Sequence, residues 1–268
     1  MNRDPSLERT RRRGAVLLAL VLAASLGAGA AWGAPAPPLT RAVEAGGAWG
    51  RYTEGYGDAD GQFVRFGIRR EERWAWRAEA GRSARFGDES LDGGLSYSHW
   101  FGRTSVVAGM SSGTGDFIAN RYRFDAAASR PIAGVVTTLG YTRIQSKGEN
   151  RSDGVGLSLV RYTPHWIYSA QGRIDVGQPG TTHATSGGVG LSYIIWRRMS
   201  VGVGYDVGNV SYQLVGPGEV LVDYRSTGFN LGFSQWFGPQ YGLNARVDYG
   251  ETPFYTVRGA SLGLFREW

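Results

Sequence analysis

Three short stretches place an arginine and an aspartate two positions apart: Arg123-Phe124-Asp125, Arg173-Ile174-Asp175 and Arg246-Val247-Asp248. Spacing by two puts both side chains on one face of a β-strand. Arg65, Arg69, Arg77, Glu79 and Asp206 extend the same polar pattern. Guanidinium and carboxylate groups in such rows have two uses. They compensate one another on a confined wall, or they line a path for ions or sugars. Nucleophilic chemistry has thinner support. The sequence holds three histidines. His99 and His165 stand beside aromatic residues near turns, and His183 stands in "TTHATS" with Thr182, Thr185 and Ser186 close by. A Ser–His pair there is the one candidate for hydrolysis. No acid lies in that segment to orient the imidazole. No cluster has metal-ligand spacing and there is no cysteine, so no cofactor or metal is expected.

The elements that carry these residues read as strands. In "SVGVGYDVGN", Val201, Val203, Tyr205 and Val207 alternate with Gly202, Gly204, Asp206 and Gly208. In "LNARVDYG", Leu243, Ala245, Val247 and Tyr249 alternate with Asn244, Arg246, Asp248 and Gly250. Such period-two patterns mean strands with one apolar and one polar face. With 42 Gly and 13% aromatic residues, helices are disfavoured and strands favoured. About 14 strands are predicted, over 42–56, 61–70, 74–86, 91–101, 104–113, 119–130, 134–145, 153–162, 166–177, 186–196, 199–209, 224–237, 241–250 and 255–268. Tight connections alternate with longer polar ones at 55–61, 146–153, 177–185 and 211–225.

A phrase recurs before the tight turns: "GLSYSHW", "GLSLVRY", "GLSYIIW" and "NLGFSQW". It predicts that Trp100, Tyr162, Trp196 and Trp236, joined by Trp268, form an aromatic girdle where strands leave a bilayer. The fold class expected is therefore all-β: an antiparallel transmembrane β-barrel of the outer membrane, touching lipid all round. A lipocalin-like soluble barrel would need an apolar interior, and the polar face here is rich in Arg, Asp and Gly. A propeller blade would carry four strands where this spacing carries two.

Upstream, Arg11–Arg13 precede the apolar run 14–30, and Ala31 and Gly33 suit cleavage, so residues 1–33 read as a secretory signal peptide. Residues 34–41 form a Pro-rich periplasmic lead-in, and 42–268 the barrel. Removing the leader takes five arginines and two acids and leaves a net charge of +3, which does not support a nucleic-acid partner. The end "ASLGLFREW" keeps Ala260, Leu262, Leu264 and Trp268 in phase, with Arg266 on the apolar face. That strand is the expected signal to the barrel-assembly machinery.

Residues 115–166 combine an Arg/Phe/Asp strand, a turn, the "LGYTR" strand, a charged loop and a Gly-rich strand ending in an aromatic. In these features the chain resembles the YaiO family of outer-membrane β-barrel proteins, across 42–268. The resemblance implies a Gram-negative outer-membrane barrel without carried-over catalytic residues. Relatives of this type occur fused to helical-repeat segments in exopolysaccharide secretion, so the partners implied are polysaccharide or export components. No helical-repeat pattern is legible in this sequence. The reading is a non-enzymatic barrel, a narrow channel or an accessory of cell-surface export, with a surplus of interior Arg favouring anions or acidic sugars. The alternative is a lipid- or polysaccharide-modifying enzyme built on His183.

Overall fold

The computed structural model describes residues 39–268 apart from 72, 197, 217 and 218. The expected leader and residues 34–38 of the lead-in lie outside the described residues. Fourteen strands follow in chain order: β1 (Leu39–Tyr52), β2 (Asp58–Arg70), β3 (Trp74–Arg85), β4 (Asp88–Phe101), β5 (Thr104–Gly113), β6 (Asn120–Ile132), β7 (Val135–Ser146), β8 (Arg151–Tyr162), β9 (Trp166–Gln178), β10 (Thr182–Trp196), β11 (Met199–Gly216), β12 (Glu219–Trp236), β13 (Tyr241–Glu251) and β14 (Thr256–Glu267). Each pairs antiparallel with its chain neighbours, and β1 pairs with β14 to close a barrel. The seam runs from Ala42↔Glu267 to Tyr52↔Val257. Reciprocal backbone bonds between Arg41 and Trp268, of 2.8 and 2.9 Å, finish it. Closure pairs every ladder in the sheet, which is the condition for strands to cross lipid.

Alternation sorts the side chains. Val189 (62% exposed), Leu139 (60%), Leu264 (60%) and Met110 (61%) point outward, among many other large apolar residues. In a soluble protein such a surface would aggregate; facing acyl chains it is the apolar band of a membrane barrel. The opposite face carries Gly, Ser, Asn, Gln and charged residues. The buried apolar side chains described are Ala119, Ala184, Val215, Tyr224 and Tyr255. All five lie toward the end of the barrel that holds the β5–β6, β9–β10, β11–β12 and β13–β14 connections, called here the loop end.

Two expectations about connections need correction. The segment 211–225 is not a long loop. β11 and β12 run on through it, pairing Tyr212↔Val222, Gln213↔Leu221 and Leu214↔Val220, with a register shift at Leu214/Gly216. The β-branched and aromatic residues in the sequence on both sides of Gly216 favour strand, and β11 and β12 pair as far as Gly216↔Glu219. Likewise β10 begins at Thr182, so residues 182–185 are strand and not loop. The loop end is thus bounded by short connections and extended strands. At the other end, β1 starts at Leu39, ahead of the expected barrel boundary at 42.

Candidate functional site: the barrel interior and its aromatic cap

Cross-strand register puts Arg65, Arg69, Arg77, Arg85, Arg123, Arg173 and Arg246 on the inner face. The same face holds Glu44, Glu79, Asp88, Asp92, Asp125, Asp175, Asp206, Asp248 and Glu267. Acids outnumber arginines on it, so the expected surplus of interior Arg is absent. The reason lies in Glu44, Asp88, Asp92 and Glu267, which sit outside the Arg-x-Asp stretches.

The arginines are tied down. Arg123 donates from Nε and Nη2 to both oxygens of Asp125, at 2.7 and 2.9 Å. Arg173 grips Asp175 the same way, at 2.6 Å for each bond. Thr142 joins the two forks: its Oγ1 donates to Asp125 at 2.7 Å and accepts from Arg173 Nη1 at 3.1 Å. Gly154 lies beside the second fork, where a Cβ would collide with Asp175 and Arg173. Arg246 donates to Asp248 at 2.6 Å. Arg65 lies between Glu44 at 3.3 Å and Glu79 at 3.6 Å, and Asn244 donates to Glu44 at 3.0 Å. Arg69 reaches Glu267 at 2.9 Å, and Gln171 donates to Asp206 at 3.1 Å. Arg77 faces inward without an acidic partner among the described residues. These side chains are part-exposed, with both members of the Arg123–Asp125 pair at 43%. Such pairs contribute ~0–1 kcal/mol each; their effect is to hold charge in place along a wetted wall.

The wall across β9 to β13 is smoother. Ser169, Gln171, Gly190, Ser192, Gly202, Asn230 and Ser234 are among the residues bounding a recess of about 600 Å³. A neighbouring recess of about 440 Å³ lies along β7 to β12. Interior space therefore lies beside amides, hydroxyls and bare backbone, next to the charged belt.

The loop end carries a cluster of aromatic side chains. Phe86 and Gly87 make the β3–β4 turn with φ of +55° and +77°. That is a type I′ hairpin, where Asn-Gly is the usual choice and a bulky residue in the left-handed region is an outlier. The Phe86 ring packs 4.8 Å from Tyr52, 5.9 Å from Tyr56 and 6.5 Å from Tyr255. Tyr255 also meets Tyr52 at 5.2 Å and Tyr56 at 5.3 Å. The Tyr255 hydroxyl donates to Gln213 Oε1 at 2.6 Å, and Tyr224 donates to the same oxygen. Tyr255 sits in the β13–β14 connection, and burial pushes its phenol up from the usual tyrosine range. Beside this cap, Asp88 accepts from the backbone N–H of Phe117 at 2.9 Å and of Ile118 at 3.1 Å. Gly115 N–H donates to the buried Ser90 at 3.1 Å. The β5–β6 connection is thus pinned against β4. None of Tyr52, Phe86, Gln213, Tyr224 and Tyr255 stood out in the sequence; the single available signal was a Phe immediately before Gly in a two-residue turn.

The girdle expected from the recurring phrase is placed differently. Trp100 pairs with Ser105, and Trp236 with Gly242 opposite the inward Phe265. Tyr162 pairs with Ile167. All three belong to the inner face, at the rim opposite the cap, and Trp236 meets Phe265 at 4.7 Å. The phrase explains it: its Leu and its final aromatic are five positions apart, an odd number, so they point to opposite faces. The outward aromatics are the middle ones, Tyr97 and Tyr193, packed on Trp76 and Trp166 at 4.6 Å in each case. Trp196 pairs with Met199 after a register shift. Trp268 lies on the outer face beside Arg266.

The histidines do not assemble a nucleophilic site. His183 pairs with Val176 on the outer face, whereas Ser186 pairs with Arg173 on the inner one. His99 is outward, 3.0 Å from the Tyr97 hydroxyl, with its ring tilted against Phe101 at 4.5 Å. His165 sits in the β8–β9 turn near Tyr193.

A family model for the YaiO membrane beta barrel domain matches residues 40–213. The matched span ends within β11, and β12 to β14 complete the closure. No curated protein sequence matches the chain. Among solved structures, the CymD monoaromatic hydrocarbon channel superposes with a TM-score of 0.61 at 10% identity, covering 85% of this chain and 87% of that one. A bacterial polysaccharide outer membrane secretin gives 0.57 at 10%, covering 85% and 98%. OmpT of Vibrio cholerae gives 0.52 at 8%, covering 88% and 99%. At these identities the likeness is one of fold.

Proposed function

The chain belongs to the YaiO membrane beta barrel domain family and is a barrel of the Gram-negative outer membrane, and we propose that it acts as a narrow, water-filled path for small polar solutes, closed at the loop end by its aromatic cap. One observation carries this reading. Every buried apolar side chain described lies toward the loop end, and the middle of the barrel is lined by charge, amide, hydroxyl and glycine. Barrels near eight strands are filled by side chains, and larger ones leave room for water; fourteen strands exceed that limit. A structural core would fill the centre with apolar volume. The fixed Arg–carboxylate forks instead offer a polar surface without a net field strong enough to trap an ion.

The enzyme alternative receives no support from His183, which is separated from Ser186 by the barrel wall. A role beside polysaccharide-export components is compatible with the amide- and hydroxyl-lined recess and stays within the same proposal. So does delivery of β14 to the barrel-assembly machinery after removal of a leader. The test is planar-bilayer conductance of the refolded protein. Small, discrete openings with a weak preference for cations are expected from the acid excess on the inner face. A barrel silent under all voltages, both intact and after disruption of the cap, would overturn the path.

A further inference from the structure

The outer surface at the tight-turn end carries an unusual charge pattern. Arg41, Arg70, Arg130, Arg161 and Arg266 all lie within the first or last three residues of β1, β2, β6, β8 and β14. Register puts each on the lipid-side face: Arg70 opposite Trp74, Arg161 opposite Tyr168, Arg266 opposite Tyr241, Arg41 opposite Ile68 and Arg130 opposite Thr137. Arg266 lies 5.3 Å over the rings of both Tyr241 and Trp268. The turns at this end add Arg73, Arg103 and Arg198. Among the described residues the acids here are Glu71 and Glu267, and Glu267 is bound inward to Arg69.

The loop end is built otherwise. There, outward Arg82 holds Asp60 at 2.7 Å and Glu89 at 2.6 Å, and Arg151 holds Asp153 at 2.9 Å. Among the described residues, Arg82 and Arg151 at the loop end hold carboxylates, whereas none of Arg41, Arg70, Arg130, Arg161 and Arg266 does. A ring of unpaired guanidinium groups repels itself unless counter-anions occupy it. Its position answers which anions. These side chains stand at the level of the exposed aromatics Trp166, Tyr168 and Tyr241, where stems rest on apolar surface and heads snorkel to the headgroup layer. Guanidinium forks match phosphate oxygens in a way ammonium groups do not, and Lys147 is the only lysine in the sequence.

We propose that this collar binds the phosphates of anionic glycerophospholipids in the periplasmic leaflet and so fixes the height and tilt of the barrel. The chain termini described, Leu39 and Trp268, lie at the same end, as does the set of tightest turns that such barrels present to the periplasm.

The test compares spin-labelled phosphatidylglycerol with spin-labelled phosphatidylcholine at the surface of the full barrel in phosphatidylcholine membranes. A basic side chain near an anionic surface contributes ~1 kcal/mol, or about fivefold in association. Phosphatidylglycerol should be preferred by about fivefold at low salt, and the preference should shrink as salt is raised. A combined Arg130→Gln, Arg161→Gln, Arg266→Gln variant should fall toward parity. The matching Arg→Lys variant preserves charge but not the fork and should keep a preference between those of the unaltered protein and the Gln variant, which separates the effect from a folding defect. Equal association of both lipids with the unaltered protein would overturn the proposal, as would an undiminished preference in the Gln variant. Charge-dependent capture of poly-glutamate by a barrel that shows no lipid preference would assign the collar to an acidic soluble partner instead.

Discussion

Replacing Phe86 separates the two things this residue does. It sits at φ +55° in the β3–β4 turn and supplies the ring on which Tyr52, Tyr56 and Tyr255 converge. Left-handed backbone costs a non-glycine residue ~1–2 kcal/mol. Favourable aromatic pairs contribute ~0.5–1.5 kcal/mol each beyond burial. The Tyr52 and Tyr56 contacts are the close ones, so deleting the ring loses about 2 kcal/mol of pair energy. Phe86→Gly recovers the backbone strain and ends near neutral, within about 1 kcal/mol. Phe86→Ala loses the ring and keeps the strain, so it falls about 2 kcal/mol or more. Glycine should therefore be the more stable substitution, the reverse of the usual order in strands. Urea unfolding in lipid vesicles measures the order. Both variants should raise single-channel conductance, because the cap loses its central ring in each. An alanine variant as stable as the glycine one would refute the strain assignment. Unchanged conductance in both would refute the cap as the closure.

Further outcomes can be checked independently. Val203 is 41% exposed on the outer face, level with the lipid-facing Leu191 and Leu231, so Val203→Arg should cost ~2–4 kcal/mol in refolding stability, against little change for Gly232→Ser on the inner face, where a side chain has open space. Neutralising Arg123, Arg173 and Arg246 together leaves their acids unpaired, and reversal potentials in a salt gradient should shift further toward cations. Burial holds the Tyr255 phenol above the ordinary tyrosine range, so its buried neutral form contributes stability that is fully present below about pH 10. That contribution fades as pH rises through the higher folded value; conductance should grow in that alkaline window, and Tyr255→Phe should remove the dependence. Protease added to intact cells should cut the 147–150 connection before the turn at 163–165.

Alternation made the wall legible in the sequence. Val201 to Gly208 and Leu243 to Gly250 state their two faces outright, and closure follows from the number of strands. The errors arose where a position had to be counted across a strand end. Trp100 and Trp236 stand at an odd distance from the lipid-facing Leu95 and Leu231, so counting by two from the Leu gives the inner face. The word-like repetition of the phrase concealed that parity. The hairpin at 211–225 was hidden by Gly216-Pro217-Gly218, whose turn signal outweighed the β-branched residues on either side. Ser186 and His183 looked adjacent because a loop imposes no parity; as part of β10 they are three apart and face opposite ways. The cap was beyond any local pattern. It depends on closure bringing the β1–β2, β3–β4 and β13–β14 connections to one end, and on a φ value that only a folded turn displays.

The distribution of buried apolar volume also bears on why a cap can open at all. In a soluble domain the core that would be disrupted is the core that holds the fold. Here the outward side chains face lipid and the ladder hydrogen bonds close on themselves, so the wall derives its stability from the membrane side. Tyr52, Phe86, Tyr224 and Tyr255 form a small separate cluster, joined to the wall through two turns, Gln213 and their own strand ends. Its local opening free energy is then set by a few ring contacts and by the strain at Phe86, and not by the global stability. Strain at one residue lowers the cost of leaving the closed state without weakening the wall. Loosening the cap should accordingly speed amide exchange in 52–57 and 252–255 while leaving β6 to β9 fully protected, and exchange that rises in both regions together would mean the cap and the wall open as one unit.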